Sequence, residues 1–127
     1  MEPTPSNDVL VVEDDPDLNE TVGAYLELEG FEYRPALDGA SALREAQSRC
    51  PSLVLLDLML PDVDGLEVCR RLRADASTRD VPVVILSALN ESRFRETARE
   101  LGVCEYLTKP FDPDALLAAI RRYAVRS

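Results

Sequence analysis

The sequence predicts an α/β domain: an open, doubly wound parallel sheet of five strands, with five helices packed on its two faces. Three observations predict it. Short apolar runs rich in Val, Leu and Ile recur along the chain, without the alternating polar positions of a sheet that has one wet face. Segments with apolar residues at helical spacing lie between them, so strand and helix alternate, the pattern of a parallel sheet with right-handed crossovers. The 127 residues hold five such units, whereas a closed eight-unit barrel needs about twice that length.

Residues 1–7 are polar and Pro-containing and read as a loose tail. Val9 to Val12 is the first strand, and it ends abruptly in Glu13-Asp14-Asp15. Pro16 suits the first turn of a helix and Asp15 its N-cap. Leu18, Val22, Tyr25 and Leu26 mark the inward face of that helix, and Gly30 stops it. Phe31 to Leu37 is a second, weaker strand, and Ala40 to Cys50 a helix with Leu43 and Ala46 inward. Ser52 to Leu56 is the third strand, ending in the carboxylate of Asp57. A loop, Leu58 to Asp64, leads through Gly65 to a helix marked by Leu66, Cys69 and Leu72 and reaching about Ala74. Val81 to Leu86 is the fourth strand and ends in Ser87-Ala88. Arg93 to Leu101 is a weak helix whose apolar stripe is only Phe94, Ala98 and Leu101. Val103 to Leu107 is the fifth strand, followed by Thr108-Lys109-Pro110. Asp112-Pro113 opens the last helix, with Leu116, Leu117, Ile120 and Tyr123 inward. One domain is expected over residues 8–125, with no output domain in this chain.

Charge narrows the function. Lys and Arg number 14 and Asp and Glu 24, giving a net charge of −10. Such a surface repels phosphate backbones and anionic lipid, so neither direct nucleic-acid binding nor membrane binding is expected. There is no His, which removes Ser-His-Asp and Cys-His catalysis and histidine-based zinc sites. No run approaches the ~20 apolar residues of a membrane span, and the N-terminus has no apolar signal core, so a cytoplasmic location is expected. Cys50, Cys69 and Cys104 are odd in number and far apart, and are expected to be buried reduced thiols. Arg70-Arg71-Leu72-Arg73 and Arg121-Arg122 read as solvated faces or salt-bridge partners. No phosphate-cradling GxxxxGK[ST] or GxGxxG is present.

In an open α/β sheet, sites form where the C-terminal ends of the strands meet. Here those ends carry Glu13, Asp14 and Asp15 (strand 1), Asp57 (strand 3), Ser87 (strand 4) and Lys109 (strand 5). With strands ordered 2-1-3-4-5, strands 1 and 3 are neighbours and Asp14 faces Asp57. Carboxylates about 5 Å apart repel by roughly 3 kcal/mol at an effective dielectric near 20. The cluster calls for a cation, and oxygen-only ligands in a compact site favour Mg²⁺ or Mn²⁺. Taken singly, such residues read more plainly: Asp15 as a helix cap, Ser87 as a loop hydroxyl, Lys109 as a surface lysine and, within strand 5, Tyr106 as a half-buried core aromatic.

Four segments in order, Val11-Val12-Glu13-Asp14-Asp15-Pro16, Leu55-Leu56-Asp57 running on to Gly65, Ile85-Leu86-Ser87-Ala88 and Tyr106-Leu107-Thr108-Lys109-Pro110-Phe111, resemble the receiver domain of two-component response regulators. The resemblance spans about residues 8 to 125 and implies the flavodoxin-like strand order. It implies that Asp57 is the phosphoacceptor. It also implies that Glu13, Asp14, Asp57 and the Met59 backbone carbonyl hold the metal, and that Ser87 and Lys109 bind phosphoryl oxygens. Ser87 and Tyr106 would form the switch, and Lys109-Pro110 would be a cis peptide. The implied partners are a sensor histidine kinase or histidine phosphotransfer protein, a downstream effector or linked output domain, and a second copy of the chain on phosphorylation. Met59 and Leu89, two places after Asp57 and Ser87, would flank the path of a hydrolytic water. Ser87 stands where Thr is commoner. Cys104-Glu105 and Ala119 depart from the charged pattern of winged-helix regulators. Two rivals share features: a haloacid-dehalogenase-type phosphatase, which wants an Asp where Met59 stands, and a pseudo-receiver that binds without being phosphorylated.

Overall fold

A computed structural model of the chain describes residues 7–124. The predicted tail lies outside the described residues apart from Asn7, as does residue 125 of the predicted domain. Five strands and five helices alternate: β1 (Asp8–Val12), α1 (Pro16–Leu28), β2 (Glu32–Ala36), α2 (Gly39–Ser48), β3 (Leu53–Leu56), α3 (Gly65–Ala74), β4 (Val83–Ser87), α4 (Ser92–Glu100), β5 (Glu105–Thr108) and α5 (Pro113–Ala124). All pairings are parallel, in the order β2-β1-β3-β4-β5. The fold is the expected doubly wound, flavodoxin-like sheet.

Two apolar layers form because β1, β3 and β4 alternate their side chains between two covered faces. Leu10, Val12, Val54, Leu56 and Ile85 pack under α2 and α3 with Ala42, Val68, Cys69 and Leu72. Val9, Val11, Leu53, Leu55, Val84 and Leu86 pack under α1 and α5 with Val22, Leu26, Leu116 and Ile120.

Boundaries differ from the sequence reading where backbone groups are used elsewhere. Val81 precedes β4: its N–H donates to the Thr78 carbonyl and its own carbonyl accepts from Arg73. Val103 precedes β5 because its N–H returns to the Ala98 carbonyl and closes α4; the first rung toward β4 is Cys104 N–H to Val83 O, 2.8 Å. Phe31 likewise closes α1, donating to the Leu26 carbonyl. Cys69 is buried as expected, whereas Cys50 is half-buried and Cys104 is exposed. The correction at Cys104 follows from its place in the turn entering an edge strand.

The arginine runs divide. Arg70 and Arg71 pair with Glu67 one turn back, and Arg121 pairs with Glu29. Arg73 is a clamp instead: its guanidinium donates to the carbonyls of Leu101 (2.7 Å), Val81 (2.7 Å), Arg79 (2.9 Å) and Gly102 (3.3 Å), tying α3 to the loops that enter β4 and β5. At the same end of the sheet, buried Arg34 is paired with Asp8 at 2.6 Å. α4 is the least anchored helix; Glu91 caps it without a side-chain hydrogen bond, and Ala98 is its one fully buried residue.

Candidate functional site

Parallel strands deliver their C-terminal ends to one rim. Val12 lies opposite Leu56, so the next residues, Glu13 and Asp57, leave the sheet side by side. The Asp57 N–H continues the ladder to the Val12 carbonyl at 2.9 Å. Across the sheet, Ser87 pairs in register with Thr108, and the Lys109 N–H donates to the Ser87 carbonyl at 2.9 Å.

The side chains then converge. Glu13, Asp14 and Asp57 each offer a carboxylate oxygen, all within 4.8 Å of one another. Glu13 and Asp57 are only 6% and 5% exposed, while Asp14 is open to solvent. The Lys109 ammonium donates to Glu13 Oε1 and, at 3.0 Å, to Asp57 Oδ2. Asp57 Oδ1 accepts from the Met59 N–H at 3.1 Å, and Glu13 Oε2 from the Asp15 N–H at 3.1 Å. Asp15 also caps α1, accepting from the Asp17 and Leu18 N–H groups.

Three carboxylates face one ammonium, so the cluster carries excess negative charge. Burial pushes the Glu13 carboxyl above the ordinary carboxylate range, against the opposing hydrogen bond from Lys109. Burial alone would lower Lys109, but its hydrogen bonds to Glu13 and Asp57 outweigh that and hold the ammonium above the usual lysine range. The donor set is oxygen-only and reaches solvent at Asp14. Its chemistry fits a hard divalent cation that keeps part of its water shell.

Ser87 is fully buried, and its Oγ accepts from the Leu89 N–H at 3.2 Å. The Tyr106 hydroxyl donates to the carbonyl of the same Leu89, so one residue of the β4–α4 loop bridges the two predicted switch positions. The Tyr106 ring packs against the core under α3 and α4, and the Arg95 guanidinium lies over it, 4.6 Å from its centroid. Lys109-Pro110 is a cis peptide. Met59 is 55% exposed beside the cluster, and Leu89 packs partly into the core.

Three residues support the site in ways that the strand-end pattern does not show. Asn19 is buried in α1 and bonds the ends of β1 and β2. Asp62 accepts from Gly39 N–H (2.8 Å) and Ala40 N–H (3.0 Å), strapping the loop after Asp57 to the start of α2. Gly65 ends that loop, and a Cβ there would collide with the Asp57 carbonyl oxygen and lie 2.6 Å from Leu58 Cα. Asp62 and Gly65 together fix the chain that carries Asp57.

A rim of this composition on a 2-1-3-4-5 sheet defines a class, the receiver domains of two-component signalling. The chain belongs to the response regulator receiver domain family, whose sequence model matches residues 9–121. It is 42% identical over 113 residues to the DNA-binding dual master transcriptional regulator RpaA of Synechocystis, and 41% identical over 113 residues to the phosphate regulon transcriptional regulatory protein PhoB of Escherichia coli. Each match covers 89% of this chain but 47% and 49% of those proteins, so the chain spans about half their length. Among solved structures, the BeF3-activated N-terminal receiver domain of Klebsiella pneumoniae RstA superposes with a TM-score of 0.84 at 32% identity, covering 94% of this chain and 99% of that one. The receiver domain of the Francisella response regulator 1452 gives 0.84 at 30% identity, covering 92% and 95%. Among the described residues, no helix is long and apolar enough to cross a membrane.

Proposed function

We propose that the chain is a working phosphoacceptor: Asp57 receives a phosphoryl group from a partner's phosphohistidine or a small phosphodonor, and the change is read on the face built by α4, β5 and α5. The observation that carries this is the Lys109 ammonium bonded to both Glu13 and Asp57 beside Asp14. A lysine so held is a ready partner for phosphoryl charge, and the three carboxylates around it are the residues that would hold Mg²⁺ or Mn²⁺, with the Met59 carbonyl.

In the step itself an Asp57 carboxylate oxygen forms the O–P bond while the P–N bond to the donor imidazole breaks, and the departing nitrogen keeps the electron pair. The bound cation would neutralise charge on the transferring group. Lys109 stays within reach of Asp57 and pairs with one phosphoryl oxygen; the Ser87 hydroxyl leaves the Leu89 N–H to donate to another. The Met59 N–H holds the Asp57 side chain in place during the approach. Loss of the Ser87–Leu89 bond loosens the loop that also anchors Tyr106, and α4, with few buried residues, is the element free to respond.

The partners in this reading are a histidine kinase or phosphotransfer protein upstream and an effector, output domain or second copy downstream. The acidic chain itself makes no nucleic-acid contact. Intact mass after incubation with acetyl phosphate and Mg²⁺ tests the reading. The parent should gain one phosphoryl group and Asp57→Asn none; a parent that gains none is a binding-only pseudo-receiver. Steady turnover of phosphomonoesters would favour a phosphatase instead.

A further inference from the structure

We infer that Asn19 is a positioning residue for the acidic pair: its carboxamide fixes the Glu13–Asp14 peptide and thereby aims both carboxylates at the cation site. The inference rests on the phosphoacceptor reading above for the identity of that site.

The argument begins where the sheet runs out. β1 ends at Val12 and β2 at Ala36, and Glu13 N–H still donates to the Ala36 carbonyl at 3.1 Å. Beyond that rung β2 turns away. Among the described residues no backbone N–H reaches the Glu13 carbonyl; its partner is the Asn19 side chain at 3.0 Å. The same Nδ2 donates to the carbonyls of Val11 and Ala36, each at 3.2 Å. Asn19 is 1% exposed. Its Oδ1 accepts from the Tyr33 hydroxyl at 2.5 Å, while the three carbonyls, which can only accept, require the NH2 end of the amide to face them. A helix side chain thus supplies the donors that the next rung of the ladder would have supplied.

The consequence for the site follows from peptide planarity. The Glu13 carbonyl and the Asp14 nitrogen share one rigid plane. Holding that carbonyl sets the direction in which the Asp14 side chain leaves the backbone, and Asp14 is exposed, so the backbone plane matters more to its aim than burial does. Freed of Asn19, the plane can rotate and carry the Asp14 carboxylate away from Glu13 and Asp57. Removal of a partner that orients a metal ligand costs typically about 10–100-fold in metal affinity.

The test is calorimetric Mg²⁺ titration of the full chain, with amide exchange on the same samples. Asn19→Ala should weaken Mg²⁺ binding by about tenfold and speed exchange at Asp14 and Asp15. Tyr33→Phe removes only the hydroxyl that steadies the amide oxygen and keeps the ring; it should weaken binding by a smaller factor, so the inference stays testable if Asn19→Ala does not fold. Thr78→Val removes a buried hydroxyl bond to the Leu72 carbonyl at the far end of the sheet; it should cost stability and leave Mg²⁺ affinity unchanged. Affinity unchanged in Asn19→Ala, or in Tyr33→Phe where the alanine variant does not fold, overturns the inference, as does an equal loss in Thr78→Val. A parent that binds no Mg²⁺, or an Asp14→Asn variant that binds as well as the parent, instead overturns the site reading on which it rests.

Discussion

Neutralising the phosphoacceptor should stabilise the metal-free protein. The Asp57 carboxylate lies within 4.8 Å of two other carboxylates and 3.0 Å from the Lys109 ammonium. At an effective dielectric near 20, two repulsions of about 3.5 kcal/mol each oppose one attraction of about 5.5 kcal/mol. By this arithmetic the two repulsions exceed the one attraction by about 1–2 kcal/mol, and the bond from the Met59 N–H is one that an asparagine oxygen can still accept. Asparagine keeps the shape and one acceptor. In EDTA, Asp57→Asn should melt roughly 5 °C above the parent, the shift expected for this stabilisation in a domain of this size. Excess Mg²⁺ should reverse the order, because ligand binding stabilises the parent by mass action and the variant has lost a ligand. Paired thermal and urea melts, with and without Mg²⁺, read both effects. A variant less stable than the parent in EDTA would refute the reasoning, because it would mean that the bond to Lys109 outweighs the crowding of carboxylates.

Three further outcomes follow from the loops around the site. The N–H groups of Gly39 and Ala40 hold the Asp62 carboxyl below the ordinary carboxylate range. That contribution is present above the unfolded value of about 3.9 and is lost as pH falls through the folded one, so the melting-temperature gap between the parent and Asp62→Asn should close below about pH 4; a gap constant from neutral pH down to pH 3 would contradict the strap. Gly65→Ala places a methyl group against the Asp57 carbonyl and Leu58 Cα, which should cost about 2 kcal/mol or more and slow phosphorylation; urea melts and acetyl phosphate kinetics equal to the parent would show that the loop can move aside. Apolar side chains at Met59 and Leu89 offer a hydrolytic water no hydrogen bond, so purified phosphoprotein should decay more slowly than the Met59→Asn, Leu89→Glu double variant, and equal decay would place control of lifetime elsewhere.

Local patterns carried the fold and the reactive residues. Val9 to Val12, Leu53 to Leu56 and Val83 to Leu86 announce buried strands by composition alone, and the abrupt change to Glu13, Asp57 and Ser87 marks where each leaves the sheet. What the sequence hid is polar and long-range. Arg73 reads as one more surface charge in an arginine run, yet its acceptors include carbonyls 28 and 29 residues away. Asn19 sits at an unremarkable helix position, and its role depends on where β2 ends, 17 residues on. Asp62 serves a helix N-terminus 23 residues earlier in the chain. The strands start later than composition suggests where a residue of strand type, Val81 or Val103, spends its N–H on the preceding turn or helix. Composition reports burial; it does not report which carbonyl a donor meets.

The central claim is that the phosphoryl group is carried by Asp57. Borohydride reduction of the phosphorylated chain converts an aspartyl phosphate to homoserine, and sequencing of the peptides by mass spectrometry locates it. The account predicts homoserine at position 57 and at no other aspartate. Homoserine at Asp14, Asp15 or Asp64 with none at Asp57 would contradict it.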